Sequence, residues 1–160
     1  MKRGTTLFLK IAVILIGIPV LALCLFLVPE MASVAAKLLP AFAAIKFFVF
    51  IIFDGAAIPF YFALYQAFRL LTYIDQNKAF SELSVTALKK IKYCAITISG
   101  LHVLALPLFY LFAEMDDAPG VIFLGLVVPF ASIVIAVFAA VLQRLLQEAI
   151  DIKSENDLTV

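Results

Sequence analysis

The sequence predicts an all-α integral membrane protein, a four-helix bundle that forms a single membrane domain over residues 1–160 and has a cytoplasmic helical extension of its last span. One observation is composition, because 66% of the residues are hydrophobic and 14% are charged, whereas about a quarter are charged in an average soluble domain. The other is length, because four apolar windows are long enough for a helix to cross about 30 Å of hydrocarbon.

The four predicted spans are separated by more polar segments. The spans are residues 7–28, 42–66, 91–113 and 121–142. A cytoplasmic loop is predicted at 67–90, and residues 143–160 are predicted to form a cytoplasmic helix and tail. Each span contains an internal proline, which predicts kinked helices.

A cleaved signal peptide is an alternative interpretation of the first span. A Met-Lys-Arg start precedes the apolar run, and the segment from Ser33 to Ala35 resembles a small-residue cleavage site. We favour a retained span because the apolar run is long for a signal core, and because it takes part in an internal repeat.

The repeat relates the first half of the chain to the second. GIPVLALCLF at 17–26 and GLHVLALPLF at 100–109 share seven of ten residues. Gly, Pro, Phe and Phe at positions 55, 59, 60 and 68 recur at 125, 129, 130 and 138. Although apolar segments match by chance more readily than polar ones, these alignments favour two parallel two-helix repeats, related by a pseudo-two-fold axis along the membrane normal.

Basic residues predict the orientation of the chain, because Lys and Arg stay preferentially on the cytoplasmic side. With the N-terminus inside, ten of the twelve basic residues are cytoplasmic, and Lys37 and Lys46 are the other two. The cytoplasmic ones are Lys2, Arg3, Lys10, Arg69, Lys78, Lys89, Lys90, Lys92, Arg144 and Lys153. We therefore expect a multi-pass protein of the cytoplasmic membrane with both termini in the cytoplasm.

Two ionisable residues fall near the middle of predicted spans, where a charge is costly and indicates a candidate site. Asp54 lies in the second span and His102 in the third. If they meet, they could form a hydrogen-bonded ion pair or a proton-accepting site. The alternatives are that they only fasten helices together, or that they make no contact.

Two features mark the cytoplasmic segments. An inner basic cluster of Lys89, Lys90 and Lys92 lies on a helix that Ser81 is placed to cap and that runs into the third span. These lysines either touch anionic headgroups or serve only as topology determinants.

The second feature is an apolar stripe after the last span, with the spacing of one helix face. The stripe consists of Leu142, Leu145, Leu146, Ala149 and Ile150. It is expected to dock onto the inner-loop helix of the same chain, or onto a second protein or subunit.

The same segments carry a resemblance to a known family. NKAFSELSVTALKKI in the loop and FAAVLQRLLQEAIDIKSENDLTV at the end resemble small bacterial membrane proteins grouped as domain of unknown function 2975. Ala79 departs from the proline that usually precedes Phe-Ser there. The resemblance implies a four-span protein whose gene often lies beside that of a short helix-turn-helix regulator of the Cro/C1 type. It therefore implies a membrane partner for a transcription factor.

The sequence does not favour an enzyme, because it lacks paired carboxylates at catalytic spacing, a phosphate loop and a cluster of metal ligands. It predicts no catalytic residue and no cofactor. With a net charge of +1 and no basic face, direct contact with nucleic acid is not expected.

We expect a regulatory or sensory membrane protein that holds such a regulator at the inner face. The alternative is a small transporter, channel subunit or immunity-type protein that uses Asp54 and His102. Since four helices leave little room for a pore, that alternative calls for a homodimer.

Overall fold

The computed structural model describes residues 3–159, and every element in that range is a helix. The helices are α1 (Arg3–Ala22), a π-helical turn (Leu23–Leu27), α2 (Val28–Leu38), α3 (Ile45–Asp75), α4 (Glu82–Met115) and α5 (Gly120–Thr159). The first three run on without a break as span one, and α3, α4 and α5 are spans two, three and four. All four are long and apolar enough to cross a membrane, which confirms the predicted all-α four-span fold.

The predictions made for Lys2 and Val160 lie outside the described residues. With four spans, both chain ends face the same side of the membrane, which we call the terminal side. The turn between spans two and three lies on this side as well.

Span one changes its helical pitch near the middle. Pro19 lies inside α1, and the π-helical turn begins four residues later at Leu23. There the backbone N–H of Val28 donates to the carbonyl oxygen of Leu23, five residues back instead of four. Widened turns of this kind are frequent at functional sites.

Two tight turns of the same construction connect spans two to three and three to four. Asn77 has a φ of 58° and Asp117 a φ of 50°, the left-handed conformation that Asn and Asp tolerate better than most residues. In the first turn the backbone N–H of the next residue, Lys78, donates to the Tyr73 carbonyl oxygen at 2.7 Å and so satisfies a carbonyl at the end of the helix. The equivalent bond of the second turn runs from residue 118 to residue 113 at 2.9 Å.

The helices are longer than the predicted spans. Residues 67–75 and 82–90 are helical, so that a loop predicted over 67–90 is reduced to a short turn. Ser81 does stand directly before α4, but its hydroxyl donates to the Lys78 carbonyl at 2.6 Å and does not cap the helix N-terminus. At the other end, α5 continues as an exposed helix to Thr159, where a tail was predicted.

The spans pack in chain order, with the most extensive contact between α4 and α5 and the next between α3 and α4. Within the described residues, span one packs chiefly on α3. A buried cluster of small and medium apolar side chains joins spans one, two and three on the side away from the chain ends. It consists of Val28, Ala32, Ala35, Val49 and Leu108.

The aligned glycines of the two halves have different surroundings. Gly17 packs against Tyr61, whereas a side chain at Gly100 would meet open space. Gly125 packs closely on Phe109, whereas its counterpart Gly55 is open. These glycine contacts do not support the duplication, which stays a prediction.

Candidate functional site

Asp54 is buried within the membrane at one carboxylate oxygen. Its Oδ1 is inaccessible and has no hydrogen-bond partner in the described part of the chain. The residue as a whole is partly buried.

His102 is held differently. Its Nδ1 lies 2.9 Å from the carbonyl oxygen of Ile98, one turn earlier in α4, and an N–H at this atom donates to it. The ring stands edge-on to Phe53, with 5.5 Å between the centroids. Phe53 in turn makes an edge contact with Phe109. His102 thus packs in an aromatic cluster between spans two and three.

The structure therefore does not join the two predicted polar residues directly. Among residues 3–159, Asp54 and His102 share no hydrogen bond or ion pair. Nor does any group of three or more His, Cys, Asp and Glu side chains in that range stand close enough to hold a metal ion. In the described residues, buried side-chain oxygens without a hydrogen bond occur at Asp54 Oδ1 and Asp75 Oδ1, and of the two only Asp54 lies near the middle of a predicted span.

Two hydrogen bonds between neighbouring spans, one partly buried and one buried, were not foreseen. The phenol of Tyr61 donates to the Gly17 carbonyl oxygen at 2.7 Å, which ties span two to span one. The hydroxyl of Ser99 donates to the Pro129 carbonyl oxygen at 3.1 Å, which ties span three to span four. The prolines and glycines were visible in the sequence, but it gave no signal of which side chain would reach these carbonyls.

An open apolar groove of about 360 Å³ lies on the terminal side, and we call it the terminal groove. Span two contributes Leu70 and Ile74, and the following turn contributes Phe80. Four of the five residues of the predicted stripe form the opposite wall, namely Leu142, Leu145, Leu146 and Ala149. Phe80 and Leu145 are the most open of these side chains, at 61% and 56% exposed.

Polar contacts fix the extension of α5 beside α4. Gln147 donates from Nε2 to Glu82 Oε1 at 3.0 Å, and Lys92 donates from Nζ to Gln143 Oε1 at 3.5 Å. These bonds hold the extension beside α4, and the terminal groove remains open beside it. The docking role of the stripe stays a prediction. Ile150 is partly buried and does not line the groove.

The inner basic cluster is divided by the fold. Lys89 and Lys90 are exposed. Lys92 is partly buried, and its ammonium lies over the Tyr93 ring at 4.8 Å from the centroid. Lys89 and Lys90 are thus the members of the cluster that are free to meet lipid headgroups.

Residues 30–160 match the family described as "Protein of unknown function (DUF2975)". This chain belongs to the DUF2975 family. A protein of Bacillus subtilis (strain 168), named uncharacterized membrane protein YoaS, is 69% identical over 160 residues, which is 100% of both chains. No solved structure matches. The resemblance in the loop and C-terminal segments is thereby confirmed.

The DUF2975 match covers every residue of the terminal groove together with Asp54 and His102. Most of span one precedes it, including Cys24 and the rest of the π-helical turn. The groove therefore lies wholly within the part of the chain that defines membership of the DUF2975 family.

Proposed function

We propose that this DUF2975 member is a regulatory protein of the cytoplasmic membrane whose chain ends lie in the cytoplasm, and that it holds a soluble partner in the terminal groove. The observation that carries the proposal is the groove itself, which is apolar and is built from the end of α3, the start of α4, the turn between them and the stripe of α5. In this proposal the stripe has both of the roles expected from the sequence, because it docks within the chain and also binds a second protein.

Most of the groove lies beyond the predicted ends of spans two and four. A helix of 40 residues such as α5 measures about 60 Å, roughly twice the thickness of the hydrocarbon core. Leu145 and Ala149 follow the predicted end of span four by one and two turns, so that their exposed apolar atoms face water or headgroups. Exposed apolar surface in that position is typical of a protein-binding site.

The shape and charge of the groove favour an amphipathic helix as the occupant. A channel between helices accepts the apolar face of another helix, with its anchors at helical spacing. The helices that line the groove also carry the exposed acidic side chains of Glu82, Glu148 and Asp151, of which Glu148 is paired with Arg144. A helix flanked by Lys or Arg would complement them, and DNA-binding domains are rich in such residues.

The family resemblance supports a helix-turn-helix regulator of the Cro/C1 type as this occupant. Such a regulator bound at the membrane is withheld from DNA until it is released. The membrane protein itself then needs no contact with nucleic acid, in keeping with its net charge of +1.

The test uses the full chain in detergent and a purified helix-turn-helix regulator of the Cro/C1 type from the same organism. We expect saturable binding, and Leu145→Glu or Leu146→Glu should weaken it at least about tenfold, because each places a charge in the apolar channel. Ile152→Glu is the matched control, since Ile152 is also an exposed apolar residue of α5 and lies outside the groove. Absence of binding, or equal loss in all three variants, would refute the proposal.

A second function is favoured by one specific observation, the buried and unpartnered Oδ1 of Asp54. Such an oxygen within a membrane span is a candidate for transient binding of a proton or cation in a small transporter, channel subunit or immunity-type protein. The test is flux through liposomes that contain the protein. Flux abolished by Asp54→Asn and retained with Leu145→Glu would favour this second function over the first.

A further inference from the structure

A second groove of about 380 Å³ lies inside the membrane, between spans one and two, and we call it the lateral groove. Val13, Ile14 and Gly17 form one wall, and Leu64, Tyr65 and Phe68 form the other. Its lining is almost entirely apolar. At its deep end, Tyr61 donates its phenol proton to the Gly17 carbonyl and so has no free donor to offer.

The lateral groove has the length of one lipid leaflet. Along span two it extends from Tyr61 to Phe68, which is about 10 Å of helix, within the roughly 15 Å that one leaflet contributes to the hydrocarbon. These residues of span two lie in the half of α3 nearer the terminal side. A single acyl chain from the leaflet on that side fits this length and position.

A cation stands at the mouth of the groove. The Arg69 guanidinium lies 5.8 Å from the centroid of the groove-lining Tyr65 ring and 5.5 Å from that of Tyr73. Within residues 3–159 it has no carboxylate partner, because the ion pairs there are Lys10–Asp75 and Arg144–Glu148. A guanidinium placed over aromatic rings keeps its in-plane N–H groups available to bind a phosphate.

Two other cations lie at this end of spans one and two, Arg3 at the first residue of α1 and Lys10 two turns later. Lys10 lies beside the groove, 5.4 Å from the Phe68 centroid, but its ammonium is bonded to Asp75 at 2.8 Å. The charge of that carboxylate is balanced by the ammonium, so it does not repel an incoming anion strongly.

We infer that the protein binds an anionic phospholipid from the leaflet on the terminal side, with an acyl chain in the lateral groove and the phosphate at Arg69. Charge selects the class of lipid. The headgroup of phosphatidylglycerol has a net negative charge that attracts the guanidinium. The headgroup of phosphatidylcholine is neutral overall, because its choline cation balances the phosphate. This site lies on spans one and two, apart from the terminal groove and independent of the proposed function.

Native mass spectrometry of the full chain in a neutral detergent tests the site, with phosphatidylglycerol and phosphatidylcholine as probes. We expect phosphatidylglycerol to be retained preferentially, and Arg69→Gln to weaken it about tenfold, as expected for loss of a charge-assisted bond. Arg144→Gln is the control for charge, because it removes the same charge on the same side of the membrane at an exposed residue. Its side chain is 84% exposed.

A second pair of variants tests the groove without changing charge. Ile14→Trp fills the lateral groove and should weaken phosphatidylglycerol binding, whereas Ile16→Trp adds the same bulk to an exposed residue outside it. Glycerol 3-phosphate, a soluble headgroup, should not compete at equal concentration, because it lacks the acyl chain. Equal retention of both lipids, equal effects within either pair of variants, or full competition by glycerol 3-phosphate would overturn the inference.

Discussion

Lys10 and Asp75 form a hydrogen-bonded ion pair between spans one and two, with Lys10 Nζ donating to Asp75 Oδ2 at 2.8 Å. The residues are 65 positions apart, near the start of span one and at the last residue of α3. Both side chains are largely covered, at 18% and 20% exposed. Since span one packs chiefly on α3, this pair fixes the first helix to the rest of the molecule at its terminal end.

Exchanging the two charges tests this role. Lys10→Asp alone places two carboxylates together and should lower the midpoint of thermal unfolding in detergent. Lys10→Asp combined with Asp75→Lys restores opposite charges and should recover part of the loss. Arg144→Gln, which removes an exposed pair with 3.8 Å between the charged atoms, should have a smaller effect than Lys10→Asp. No recovery in the double variant would show that the pair contributes by packing alone.

Neutralising Asp54 separates a structural role from a functional one. Because its Oδ1 is buried without a partner, Asp54→Asn should leave the free energy of unfolding unchanged or raise it by about 1 kcal/mol. Asp117→Asn is the control, since it makes the same change at an exposed turn residue. Chemical denaturation in mixed micelles measures both. A clear loss of stability with Asp54→Asn alone would identify the carboxylate as a fastener between helices.

Asp54 and His102 should act independently. They share no bond in residues 3–159, and the imidazole is engaged with Ile98 and Phe53 instead. In a double-mutant cycle of Asp54→Asn and His102→Gln, we expect the changes in unfolding free energy to add to within about 0.5 kcal/mol. A coupling energy several times larger would restore the paired site suggested by their similar depth.

Two glycines of the spans should respond oppositely to the same substitution. A Cβ at Gly125 would lie 2.8 Å from Cγ of Phe109, so Gly125→Ala must displace that ring and should cost about 1–3 kcal/mol. A Cβ at Gly100 meets nothing within 4 Å, and Gly100→Ala should be neutral or stabilise by up to about 1 kcal/mol through helix propensity. Thermal unfolding of both variants in one detergent measures the contrast, and equal effects would contradict this packing.

The sequence predicted the spans because hydropathy and length are sufficient for that purpose. It could not predict which faces of the spans meet, because lipid and protein interior are equally apolar and leave no stripe to distinguish them. For that reason, Asp54 and His102 shared a predicted depth but face different neighbours. The stripe of α5 was predictable because it follows the predicted end of span four, where polar residues lie between the apolar ones.

Local backbone chemistry explains the remaining differences. Asn77 and Asp117 follow the ends of their helices in a left-handed conformation. Most Asn and Asp residues do not adopt this conformation, so the residue type alone does not predict it. Composition suggested a long polar loop before span three, whereas the helices continue to within a few residues of Asn77. The terminal groove could not be predicted from the sequence either, because it is the short turn that brings Leu70 and Phe80 close to the stripe.

The orientation predicted from the basic residues can be measured by labelling single cysteines in intact cells. Cys24 and Cys94 are first replaced by Ala, since both are free thiols within the spans. Asp116→Cys lies in the acidic turn between spans three and four and should react with a membrane-impermeant maleimide from outside. Lys153→Cys, exposed on the α5 extension, should react only after lysis. The reverse pattern would place the terminal groove outside the cell, beyond the reach of any cytoplasmic regulator.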